Sequence, residues 1–171
     1  LTCRIMQQTD RFVCYLSFEV PDKNKHIARL VSLMLGKANT TAYTDGQLTP
    51  YLDFLDTHMI HLDMHEVPPT PENILNRADR VRRTHPLKYL VVDPYLFIET
   101  QSGNGETETQ SIKAMLTKFQ TWGRVNHIWV VIVAHPRGLK TVNGRNELEA
   151  INMYTISGSA NSVSYTHLTL P

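Results

Sequence analysis

Leu87-Lys88-Tyr89-Leu90-Val91-Val92-Asp93-Pro94 is the stretch from which the fold follows. Its apolar residues run almost without a break and stop at an aspartate. A run too continuous to alternate in and out is a strand buried on both faces, as in a parallel sheet covered by helices. An acid at the carboxyl end of such a strand can hold a Mg²⁺ that bridges nucleotide phosphates, directly or through water. Taken alone the signal is weak. Many strands of α/β proteins end in Asp, and a side chain capping the turn before Pro94 would explain Asp93 as well.

Working outward, short apolar runs alternate with helical patterns. Residues 12–18, Phe-Val-Cys-Tyr-Leu-Ser-Phe, read as a buried strand. Ile27, Leu30, Val31, Met34 and Leu35 recur at helical spacing, which predicts a helix from Lys25 to Gly36 with the glycine as its stop. A short helix is expected from Thr49 to Asp56, with Pro50 in its first turn. Met59 to Met64 alternates and reads as a strand. Thr70-Pro71-Glu72 opens a helix that runs to about Arg83. Gly103-Asn104-Gly105 is a loop, and Thr107 to Trp122 a helix with Ile112, Met115, Leu116 and Phe119 on one face. Ile128 to Ala134 is the most apolar strand, and 137–152 is polar and turn-rich. Strands separated by helices predict an α/β fold, its mostly parallel sheet covered on both faces.

Bulk properties narrow the class. The chain has 171 residues, enough for one sizeable core, and its 42% hydrophobic and 19% charged content is that of a globular domain. A formal net charge of +1 does not announce a nucleic-acid binder, so any DNA contact needs a local patch or an assembled ring. The two cysteines, Cys3 and Cys14, form no disulfide framework or metal-type pair, which fits a reducing cytosol. Cys14 lies inside an apolar run and reads as a small buried hydrophobe. No stretch approaches the ~20 apolar residues that span a bilayer.

Two further strand ends carry polar groups. The first strand leads into Glu19, beside which Asp93 would lie in a parallel sheet; one carboxylate can hold a metal while the other polarises an attacking water. A first-turn helix acid favoured by the dipole would also explain Glu19. The strand Val130-Val131-Ile132-Val133-Ala134 runs into His135-Pro136-Arg137, where the imidazole could donate to a γ-phosphate. A histidine that merely ends a strand is the commoner case.

Together these segments resemble one family, the DnaB/Twinkle-type replicative helicases. Ser17-Phe18-Glu19 resembles the motif after their P-loop, and Val91-Val92-Asp93-Pro94-Tyr95 their Walker B. Ile132-Val133-Ala134-His135-Pro136-Arg137 and Ile156-Ser157-Gly158-Ser159-Ala160-Asn161 are similar to the third and fourth motifs of the Twinkle type and of phage primase-helicases. The order and spacing agree over residues 12 to 161.

The resemblance implies a RecA-like P-loop NTPase core using ATP or another NTP with Mg²⁺. It assigns catalysis and nucleotide binding to Glu19 as base, Asp93 as Mg²⁺ ligand and His135 as γ-phosphate sensor. Residues 158–160 would link the nucleotide site to a neighbouring subunit. Loops after the Asp93 and His135 strands would grip single-stranded DNA, with Arg137, Lys140 and Arg145 on phosphates; three scattered charges also suit a solvated loop. The implied partners are single-stranded DNA and five further copies in a homo-hexamer. A primase domain in the same chain is allowed, no membrane is involved, and the setting is the cytoplasm of a bacterium, host- or phage-encoded.

The departures from the family pattern matter equally. No Gly-x-x-x-x-Gly-Lys-Ser/Thr occurs, and that loop supplies the backbone cradle and Lys for the phosphates. The expectation is a truncated core over 1–162, lacking the P-loop strand, the C-terminal strands and the arginine finger, and inactive by itself. Residues 163–171, Val-Ser-Tyr-Thr-His-Leu-Thr-Leu-Pro, resemble a translated sequencing-library adapter and are expected to be a non-native tail.

Two clusters invite other readings. His58, His61, Asp63, His65 and Glu66 crowd together, and in a strand His61, Asp63 and His65 would share one face. The alternation of Ile60, Leu62 and Met64 is what a half-buried strand needs anyway, and no cysteine helps build a tetrahedral template. Arg77, Arg80, Arg82 and Arg83 read as the solvated face and end of a helix. Two alternatives to a helicase remain: a RecA/RadA-like recombination or repair ATPase, and a degenerate RecA-fold binding scaffold.

Overall fold

The computed structural model describes residues 2–20, 22–36, 44–100 and 107–134. Four parallel strands form one sheet: β1 (Phe12–Ser17), β2 (Met59–His61), β3 (Leu87–Asp93) and β4 (Trp129–Ile132), in the order β2-β1-β3-β4. Five helices join them: α1 (Thr2–Thr9), α2 (Lys23–Leu35), α3 (Asp45–His58), α4 (Pro71–Thr84) and α5 (Glu108–Asn126).

Strand alternation divides the core into two. Val13, Tyr15, Met59 and Val91 pack against Met6 of α1, Leu30 and Val31 of α2, and Leu55 of α3. Phe12, Cys14, Leu16, Leu90 and Val92 pack the opposite way, against Ile74 and Ala78 of α4 and Ile112, Met115 and Phe119 of α5. Both faces of the central strands are thus covered, which is why β1 and β3 read as unbroken apolar runs. The chain leaves β1 through α2 and α3 to reach β2 on one side. It then returns through α4 and α5 on the other face to β3 and β4, as a uniform crossover hand requires.

Local signals set the helix boundaries. Asp22 caps α2, its carboxylate accepting from the N–H groups of Asn24 and Lys25 at 2.9 and 3.3 Å. Gly36 ends that helix at φ 68°, a left-handed conformation that glycine adopts without strain. Thr70 accepts from the Asn73 N–H ahead of Pro71, so α4 starts where the sequence places it. Thr107 and Gln110 form a reciprocal capping box at the head of α5.

Several expectations need correction. α3 begins at Asp45, not Thr49, because Gln47 reaches back to accept the Thr44 N–H at 3.0 Å; Pro50 therefore lies inside the helix, past its first turn. β2 stops at His61 rather than Met64; beyond Leu62, whose N–H donates to the Tyr15 carbonyl, the chain turns. β1 ends at Ser17, so Glu19 stands two residues past the strand rather than on it. α5 also runs on to Asn126, four residues past Trp122. Gly123 lets it lie close to β4, since a Cβ there would sit 2.7 Å from the Ile128 carbonyl oxygen. β4 is only partly buried along its whole length, and among the described residues it is one edge of the sheet, with β2 the other.

Candidate functional site

Neighbouring strands β1 and β3 send their carboxyl-terminal connections to opposite faces of the sheet. β1 leads to α2 on one face and β3 to α5 on the other. The divergence makes the carboxyl edge between them a topological switch point, the place where open α/β sheets bind ligands. Ser17 and Asp93 are register partners at that edge, and the Phe18 N–H donates to the Asp93 carbonyl at 2.9 Å. Asp93 thus stands at that edge beside Ser17, and Glu19 follows Ser17 by two residues. Asp93 closes β3 and is half-buried; Glu19 lies in the bend after β1 and is exposed.

Neither acid caps the helix or turn that follows it. α2 has no acidic residue in its first turn and takes its cap from Asp22, so Glu19 is not a helix-dipole acid. The 3₁₀ turn after Asp93 (Tyr95–Phe97) has no side-chain cap. The Asp93 carboxylate is engaged elsewhere: Oδ2 accepts from the Tyr15 hydroxyl at 2.6 Å.

Tyr15 is a residue the sequence reading passed over, and it brings two histidines with it. Its ring stacks on His26 of α2, centroids 4.3 Å apart at 24°, and meets His61 of β2 edge-on at 6.1 Å. His26 Nδ1 lies 2.6 Å from His61 Nε2. Burial, then the hydrogen bond to Asp93, holds the phenol far above its ordinary range, so it stays a donor. Burial, then the charge of His26 and of Lys23, pushes His61 down to about 4; burial also lowers His26. Two neutral imidazoles pair readily, one donating and the other accepting.

The remaining predicted residues fall apart or lie elsewhere. His58 Nε2 is 2.6 Å from Asp10 Oδ1, Asp63 accepts from the His65 N–H at 2.8 Å, and His61 faces His26. The histidine-rich segment thus has three separate sets of partners. Arg82 and Arg83 both pair with Asp79 at the end of α4, and Arg77 donates to the Asp63 carbonyl. His135, Arg137, Lys140 and Arg145, the 156–161 segment, the 103–105 loop and the 163–171 tail lie outside the described residues. No described helix is long and apolar enough to cross a membrane.

A parallel sheet covered by helices on both faces is a fold that solved ATPase domains of helicases share. The chain matches a solved ATPase domain with a TM-score of 0.58 at 15% identity, over 76% of this chain and 49% of that one. It matches a DnaB-like replicative helicase, described with its interactions with primase, with a TM-score of 0.61 at 15% identity, over 79% and 34%. In sequence the chain is similar to the Twinkle homolog protein, chloroplastic/mitochondrial, of Arabidopsis thaliana: 33% identical over 96 residues. That stretch is 56% of this chain but only 13% of the relative's length. No family profile matches the chain. The DnaB/Twinkle-type likeness read from residues 12–161 thus recurs in both fold and sequence.

Proposed function

We propose that this chain is part of the motor core of an ATP-dependent replicative DNA helicase, acting as a hexameric ring on single-stranded DNA. The observation that carries the reading is Asp93 at the β1/β3 switch point, paired in register with Ser17 two residues before Glu19, in a chain that resembles a Twinkle homolog. Asp93 suits Mg²⁺: it offers a hard carboxylate oxygen, half-buried and hydrogen-bonded to Tyr15 at the carboxyl end of β3. Mg²⁺, when bound, neutralises charge on the nucleotide phosphates. Glu19, more exposed, takes the proton of the attacking water as general base. His135 would donate to the γ-phosphate, residues 158–160 would couple neighbouring subunits, and Arg137, Lys140 and Arg145 would contact DNA phosphates.

The phosphate cradle and the arginine finger belong, on this reading, to sequence outside the 171 residues, with 1–162 the native part of the core and 163–171 a foreign tail. The isolated chain should then hydrolyse ATP poorly. A primase domain ahead of the core and a bacterial or phage cytoplasm complete the proposal; the two free cysteines suit a reducing compartment.

The test is to recover the flanking coding DNA, express the longer product, and measure DNA-stimulated ATP hydrolysis and strand unwinding. A Gly-x-x-x-x-Gly-Lys-Ser/Thr within roughly 15–25 residues upstream is expected. So is a loss of hydrolysis by at least about a hundredfold in Glu19→Gln, at the low end of what general bases contribute. An upstream sequence without that loop, or hydrolysis indifferent to Glu19 and Asp93, would replace the motor with a RecA-fold scaffold.

A further inference from the structure

Asp93 does not choose its own direction. Tyr15 and Asp93 lie on the same face of adjacent parallel strands: Tyr15 is the register partner of Val91, and Asp93 stands two residues further on. Two residues of strand span roughly 6.6 Å, a gap that a phenol can bridge and an aliphatic side chain cannot. The hydroxyl closes it at 2.6 Å from Oδ2. Tyr15 is 7% exposed, and its hydroxyl donates to the carboxylate. Behind the ring, His26 is stacked and buried, His61 closes the edge, and the two imidazoles hold one another. The ring is thus packed on one face and one edge, and its hydroxyl holds one oxygen of the carboxylate.

We propose that Tyr15 is a positioning residue for Asp93, held by the His26–His61 pair, and that it presents the second carboxylate oxygen to the divalent cation. The inference rests on the reading of Asp93 as the metal ligand. The hydroxyl occupies one of about four lone-pair sites of the carboxylate, on Oδ2, and leaves Oδ1 to the cation. A carboxylate already oriented loses less freedom on binding than one that must be ordered by the metal. Partners that orient a ligating side chain in this way typically change metal affinity by about 10–100-fold.

Mn²⁺ alone, titrated into the 171-residue chain and followed by electron paramagnetic resonance, tests the proposal with no need for turnover. Asp93→Asn should abolish the site; if it does not, Asp93 is no metal ligand and the underlying reading fails first. Where Asp93→Asn does abolish it, Tyr15→Phe should weaken Mn²⁺ binding by about tenfold or more while keeping the ring and the melting temperature. Affinity unchanged in Tyr15→Phe overturns the positioning role. Should Tyr15→Phe fail to fold, His61→Gln gives the second reading. It keeps the phenol but removes its edge-on wall, and its Mn²⁺ affinity must fall between wild type and Asp93→Asn. Wild-type affinity in His61→Gln removes the histidine pair from the arrangement.

Discussion

Acid should loosen this domain through His61. The imidazole sits at the end of β2, 2.6 Å from His26, and burial with the neighbouring His26 and Lys23 holds it down to about 4 from 6.5. Between those values the unfolded chain binds a proton that the folded chain refuses. Stability is therefore greatest above about pH 6.5 and falls as the pH drops toward 4, below which this contribution is spent. A shift of that size, at about 1.36 kcal/mol per pH unit, is worth roughly 3 kcal/mol. His61 keeps part of its surface in water, and screening brings the figure to about 2 kcal/mol. Urea unfolding followed by circular dichroism, from about pH 7.5 to about pH 4.5, measures it. Wild type should lose about 2 kcal/mol more over that range than His61→Gln, which can still bond to His26 but does not titrate. Parallel curves for the two proteins would refute the argument, since every other titrating group is common to both.

Three more outcomes follow from the packing. In Gly123→Ala the new Cβ meets the Ile128 carbonyl oxygen at 2.7 Å and a Val130 methyl at 2.9 Å. Overpacking of about 1–3 kcal/mol should exceed the ~1 kcal/mol gain in helix propensity, so thermal melting should show a lower midpoint. Phe119, 1% exposed between α5 and the sheet, should cost about 3–5 kcal/mol on replacement by Ala, read by chemical denaturation; a loss under about 1 kcal/mol would mean that α5 does not dock as described. Cys14 is fully buried, and burial pushes its thiol up to about 12, so a thiol reagent at mild pH should modify Cys3 first and Cys14 only on unfolding.

Much of the sheet was legible because its strands are buried on both faces and stand out as unbroken apolar runs. Asp93 was legible for the same reason: it is the first polar residue after such a run. Helix starts were legible wherever a cap and an apolar stripe coincide, as at Thr70-Pro71. They were not at Thr44, where the cap precedes residues with little periodicity. Tyr15 and His26 escaped because each reads locally as core, an aromatic in a strand and a lone histidine on a helix face. What makes them part of the site is register, the pairing of Tyr15 with Val91 and with His61, and register is a tertiary fact. Counting strand parity back from Asp93 would have found Tyr15 only once β1 was known to lie beside β3.

The outer side of β4 has a consequence for how the chain can associate. Trp129-Val130-Val131-Ile132 carries no charge, proline or glycine, and among the described residues nothing pairs with its outer row of peptide groups. An edge of that composition templates pairing with other chains, and short segments of the kind stack into fibrils. Among the described residues, β4 is therefore the segment most disposed to pair with another strand.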